Sequence, residues 1–155
     1  NAAKEELIKQ KPLVRAYEVD TYKDQMIAEE AAMALTWSGD AYMLISENPN
    51  LEFAIPKEGT NLWFDAVAIP TTAKNVDLAH EFINFLLRAD VAAKNSDYIK
   101  FSSPNAAAIP LLAAEDAANE DLYPKGDIMS LGEVFLDLGE FTVEYDRAWT
   151  EIKAS

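Results

Sequence analysis

Cysteine is absent from the 155 residues, which excludes disulfides, thiolate metal sites and a cysteine nucleophile. Histidine occurs once, at His80. A paired-histidine metal motif is therefore ruled out, and a Ser-His-Asp triad would have to use a residue expected in mid-helix with no nucleophile elbow beside it. Glycine is sparse: Gly39, Gly59, Gly126, Gly132 and Gly139 stand apart, so no Gly-rich phosphate loop is present. No apolar run approaches the roughly 20 residues that a membrane-spanning helix needs. Basic residues are few, 13 against 27 acidic, for a net charge of -14. That balance repels nucleic acid, disfavours phosphate substrates and weakly favours cationic ligands, although acidity also serves solubility.

What is present suits a globular fold. Half of the residues are apolar, and a chain of this length can bury about two-thirds of its unfolded surface. The opening Asn1-Ala2-Ala3-Lys4-Glu5-Glu6 has no Met, charged n-region or apolar h-region, and is expected to be a cut rather than a natural beginning. Residues 1–12 read as the end of a surface helix stopped by Pro12. Leu13 to Tyr17 reads as a short strand, and Thr21-Tyr22-Lys23-Asp24 as a capping box opening a helix to about Glu30. Strands are expected at Ala31 to Thr36, Leu51 to Ile55 and Ala66 to Ile69, with a helix from Ala41 to Ser46 after the turn at Thr36-Trp37-Ser38-Gly39-Asp40.

Asn75 is placed to cap a helix from Val76 to Leu87, on which Val76, Ala79, Phe82, Ile83 and Leu86 form one core-facing stripe. A further helix is expected over Asp90 to Ser96. Breaks fall at Ser102-Ser103-Pro104-Asn105 and Pro124-Lys125-Gly126. The last helix, roughly Glu140 to Lys153, carries Phe141, Tyr145, Ala148, Trp149 and Ile152 on one face.

Two constellations carry chemistry. Trp63 and Asp65 lie two residues apart at the mouth of an expected strand, so their side chains should face one site. An aromatic face beside a carboxylate suits an organic cation, since the ring quadrupole attracts positive charge and the carboxylate accepts its N–H bonds. Trp37 and Asp40 repeat this chemistry at a strand-to-helix junction, where open α/β sheets place ligands. The plainer readings are core packing for each Trp and a helix cap for Asp40. Asp40 and Asp65 could also be the carboxylate pair of a glycosidase-like enzyme with the two Trp rings as sugar platforms, but nothing specific supports that. The acidic clusters Glu29-Glu30 and Glu115-Asp116 to Glu120-Asp121 lack the ligand spacing of a calcium loop and read as solvated faces. No cofactor or metal is called for.

The ordered series Leu35-Thr36-Trp37-Ser38-Gly39-Asp40, Ile55-Pro56-Lys57-Glu58-Gly59, Trp63-Phe64-Asp65, Ala68-Ile69-Pro70, Ala73-Lys74-Asn75 and Phe82 to Val91 resembles the spermidine/putrescine-binding proteins of bacterial ABC importers. The similarity runs from about Pro12 to the C-terminus. It implies an α/β, periplasmic-binding-protein-like (type II) fold, as the C-terminal portion of a two-lobe protein. Residues 1–62 would be a second-lobe segment, 63–109 a segment returning to the first lobe, and 110–155 a second-lobe segment with the C-terminal helix.

By the same resemblance Trp37 and Trp63 would line the methylene chain of a polyamine, Asp65 would hold an amine, and Asp40 would match an acidic ligand of the putrescine-preferring branch. Phe101 stands where the family often has a tyrosine, Phe135 near where spermidine binders place an amide, and Val19 where serine is common. The expected function is capture of putrescine or spermidine in the periplasm or at the cell surface for a membrane permease, without a chemical reaction; lipid anchoring is left open. A binder of sugars or other neutral solutes is the alternative within the fold. The stripe of the Val76 helix would need cover from the second-lobe part, a second copy of the chain, or a missing N-terminal half.

Overall fold

The computed structural model describes residues 2–124 and 130–155, so the break expected at Lys125-Gly126 lies outside the described residues. Two units divide the chain: Asn1–Ala32 with Phe135–Ser155, and Met33–Val134.

In the first unit, helix α1 (Ala2–Gln10) is built from strong helix formers, and Pro12 sits in the 3-10 turn Lys11–Leu13 that ends it. Helix α2 spans Tyr22–Ile27. Its expected capping box does not form: Thr21 already has helical dihedrals, and its hydroxyl donates to the Glu18 carboxylate instead of accepting from the helix. At the other end Glu29 adopts a left-handed conformation (φ 57°), with Glu29 N–H bonded to Met26 C=O and Glu30 N–H to Gln25 C=O. This is a Schellman stop with glutamate in the place that glycine usually takes.

The C-terminal helix of this unit spans Thr142–Ala154, after a 3-10 turn at Gly139–Phe141. Helix α1 packs against it. Lys4 Nζ reaches Glu151 Oε2 at 2.6 Å, and Lys11 Nζ donates to the Lys153 carbonyl near the helix end, where a cation is favoured. The Lys4 ammonium holds the Glu151 carboxyl below the usual carboxylate range. Tyr17 meets Trp149 edge-on at 4.9 Å, and Ile152 is 3% exposed. Only the second half of the expected stripe is therefore used: Phe141 and Tyr145 stay exposed.

The second unit contains α3 (Ser38–Glu47), β1 (Thr60–Leu62), α4 (Val76–Leu86), α5 (Ala89–Ile99), α6 (Ala114–Ala118) and β2 (Gly132–Val134); the helix at Thr142–Ala154 is α7. β1 and β2 pair in parallel, Thr60 with Gly132, Asn61 with Glu133 and Leu62 with Val134. A parallel pair needs a crossover, and helices α4, α5 and α6 lie between its strands in sequence. Gly59 enters β1 with φ 120°, and a Cβ there would stand 2.7 Å from the Leu131 carbonyl. Only glycine tolerates both conditions.

The buried residues are mostly small: Ala41, Ala92, Ala93 and Ala108, with Leu44 and Leu122. Tyr42 locks α3 to the loop after α6. Its hydroxyl contacts Asn119 Oδ1 at 3.1 Å and Asp121 Oδ2 at 2.7 Å, while its ring tilts against Phe53. Burial, with Asp121 adding, pushes the phenol up to about 12.

Four expected strands, Leu13 to Tyr17, Ala31 to Thr36, Leu51 to Ile55 and Ala66 to Ile69, join no ladder. Apolar patterning marks a segment fit for a sheet, but a strand exists only where a partner accepts its hydrogen bonds. Helix α5 runs three residues past the expected Ser96, to Ile99. Helix α4 starts at Val76 as expected, although the Asn75 side chain does not cap it. No residue of α4 is buried, and Val76 and Phe82 of its stripe are exposed.

Candidate functional site

Trp37 is the N-cap of α3, with its backbone extended (φ -77°, ψ 148°) and its carbonyl accepting the Ala41 N–H at 3.0 Å. The residue is 44% exposed. Asp40 lies in the first turn of the same helix, half-buried, where the positive end of the helix dipole favours a carboxylate. Between them Gly39 is buried, because the Phe101 ring lies against it: a Cβ built on Gly39 would overlap three carbons of that ring.

Phe101 arrives there by a sharp turn. Helix α5 ends in Lys100 with left-handed dihedrals (φ 57°, ψ 23°), and Lys100 Nζ is tied to Asp116 Oδ2 at 2.9 Å. That carboxylate raises the Lys100 ammonium above its ordinary range. Trp63, the residue after β1, meets Phe101 in an edge-to-face contact, with centroids 5.5 Å apart and planes at 73°. This is a favoured geometry for two aromatic quadrupoles. Trp63 as a residue is 40% exposed.

The structure thus brings Trp63 and Phe101 together against the α3 turn that carries Trp37 and Asp40. Asp65 is exposed two residues beyond Trp63. Because β1 ends at Leu62, no ladder imposes the alternation that would point Trp63 and Asp65 the same way. Phe135 is 78% exposed and belongs to the other unit. An open concavity of about 470 Å³ at the start of α4, lined by Lys74, Asn75, Val76, Asp77 and Leu78, includes none of these residues.

Sequence reasoning missed the groups behind Phe101. Ser96 Oγ donates to the Phe101 carbonyl, and Tyr123 contacts both Ser96 and the Ser103 N–H. No spacing rule points to them. The only signal is the serine in the last turns of a helix that precedes an aromatic.

Fold and rings together define a class. The chain belongs to the bacterial extracellular solute-binding proteins, the family that matches residues 2–123. Among its relatives is a spermidine/putrescine-binding periplasmic protein of Salmonella typhimurium, 38% identical over 153 residues, which cover 99% of this chain and 44% of that protein. The putrescine-binding periplasmic protein PotF of Escherichia coli is 34% identical over 155 residues, with 96% and 42% covered. A crystal structure of the spermidine/putrescine ABC transporter substrate-binding protein PotD from Streptococcus pneumoniae superimposes with a TM-score of 0.87 at 35% identity, covering 97% of this chain and 47% of that one. The resemblance drawn from the sequence motifs is borne out, and the fold is part of a solute-binding protein fold. The chain spans about half the length of the curated relatives it matches.

Proposed function

We propose that this chain is part of the substrate-binding component of an ABC importer that captures putrescine or spermidine outside the cytoplasmic membrane and presents it to a permease. The observation that carries the reading is the Trp63–Phe101 ring pair, with Phe101 against Gly39 between Trp37 and Asp40, and Trp63 two residues from Asp65. Rings would line the methylene chain and attract the ammonium groups at roughly 0.5 to 2 kcal/mol per cation-π contact. Asp40 and Asp65 would accept the charged N–H bonds. The names of the relatives and the net charge of -14 point the same way. No bond is made or broken in such a role; binding energy would close two lobes.

In the whole protein, residues 1–62 and 110–155 would belong to the second lobe and 63–109 to the first. The exposed Val76 and Phe82 of the α4 stripe support that arrangement, because apolar side chains on such a helix face call for cover, here from the N-terminal half of the larger protein.

Calorimetric titration of the intact protein with putrescine, spermidine and maltose, at low and moderate salt, tests the reading. Salt-sensitive heat with an amine and none with maltose is expected. Heat with maltose alone would replace the polyamine reading with a neutral-solute binder. Asp65→Asn should abolish amine binding, be mild for a sugar, and remove turnover if a glycosidase were present after all.

A further inference from the structure

Phe101 is held by its backbone as well as its ring, and the holding groups form a directed chain. A serine hydroxyl has one proton. Ser96, 8% exposed, spends it on the Phe101 carbonyl. The 3.2 Å contact between Ser96 Oγ and the Tyr123 hydroxyl must therefore have Tyr123 as the donor. The Tyr123 oxygen in turn accepts the Ser103 N–H at 3.1 Å. The chain runs from Ser103 N–H through Tyr123 and Ser96 to the Phe101 carbonyl, bracketing the residue from both sides of the bend. Two further ties close the bracket: Lys100 N–H bonds to Ser96 C=O at 2.8 Å, and Ser102 Oγ donates to Leu122 C=O.

We propose that Ser96 and Tyr123 are positioning residues of the ligand site, fixing Phe101 so that its ring stands against Gly39 and meets Trp63 before any ligand arrives. The inference rests on the polyamine reading for its function, but not for its geometry. A wall set in advance binds more tightly because less side-chain and loop freedom is lost on association. Neither hydroxyl needs to touch the ligand. Their effect on affinity must pass through Phe101.

That dependence gives the test. In the intact protein, Ser96→Ala and Tyr123→Phe should each lower putrescine or spermidine affinity about three- to tenfold, the equivalent of one buried hydrogen bond. Ser96→Thr, which keeps the hydroxyl, should restore most of it. In a Phe101→Ala background the same two substitutions should leave the remaining affinity unchanged, an outcome that general destabilisation would not give. Unchanged affinity with Phe101 present, or equal losses in both backgrounds, would overturn the proposal.

Near-ultraviolet circular dichroism reads the ring without ligand. Ser96→Ala should weaken the aromatic band that Trp63→Leu also weakens, and an unaltered band would overturn the proposal. If the unsubstituted protein bound no polyamine, the functional reading would fall, and this band would still decide whether the two hydroxyls position Phe101.

Discussion

Gly39 lies in the first turn of α3, where its lack of a side chain is unfavourable to the helix by up to about 1 kcal/mol relative to alanine. Its backbone has no positive φ that would demand glycine. Gly39→Ala should on local grounds stabilise the protein. The Phe101 ring reverses that expectation, since the new Cβ would overlap it and Phe101 is held by Trp63 through an edge-to-face ring contact and by Ser96 through its carbonyl. Forcing such a ring aside costs about 1 to 3 kcal/mol. Losing the edge-to-face contact adds about 0.5 to 1.5 kcal/mol. With the helix gain subtracted, Gly39→Ala should destabilise by about 0.5 to 4 kcal/mol. In a Phe101→Ala background the clash disappears, and the same substitution should stabilise by about 0.5 to 1 kcal/mol. Urea unfolding of the four proteins, compared at common slope, measures both values. A rise in stability on Gly39→Ala with Phe101 intact would refute the reasoning, because it would show that Phe101 does not occupy the space above the glycine.

Tyr42 gives a pH signature. Its folded-state pKa lies near 12 against about 10 when unfolded, so its contribution is complete below pH 10 and is lost as pH rises toward 12. Tyr42→Phe should remove that part of the alkaline decline, together with roughly 1 kcal/mol of stability near pH 8, as denaturation series near pH 8 and above pH 10 would show. Ile152→Ala, at the buried contact of α7, should cost about 2 to 5 kcal/mol by the same assay. Asp40→Asn should weaken amine binding and reduce its salt dependence, measured by titration from low to moderate ionic strength; an unchanged salt slope would remove Asp40 from the site.

Sequence alone determined the local chemistry. The runs of helix formers, Pro12, and the spacing of apolar residues placed α1, α4 and α7 close to where they occur, because helical hydrogen bonds close within a few residues of each donor. The order of motifs around Trp37, Gly39, Trp63 and Asp65 was enough to reach the family. Strands were another matter: the pairing of Thr60–Leu62 with Gly132–Val134 joins segments some seventy residues apart, and no pattern in either short segment announces its partner. Separation along the chain likewise hid most of the site. That Phe101 rests on Gly39, that Trp63 meets it edge-to-face, and that Tyr123 reaches back to Ser96 are contacts between separate parts of the chain. Only tertiary structure decided them, because a residue's type states what it could touch while the path of the whole chain settles what lies within reach.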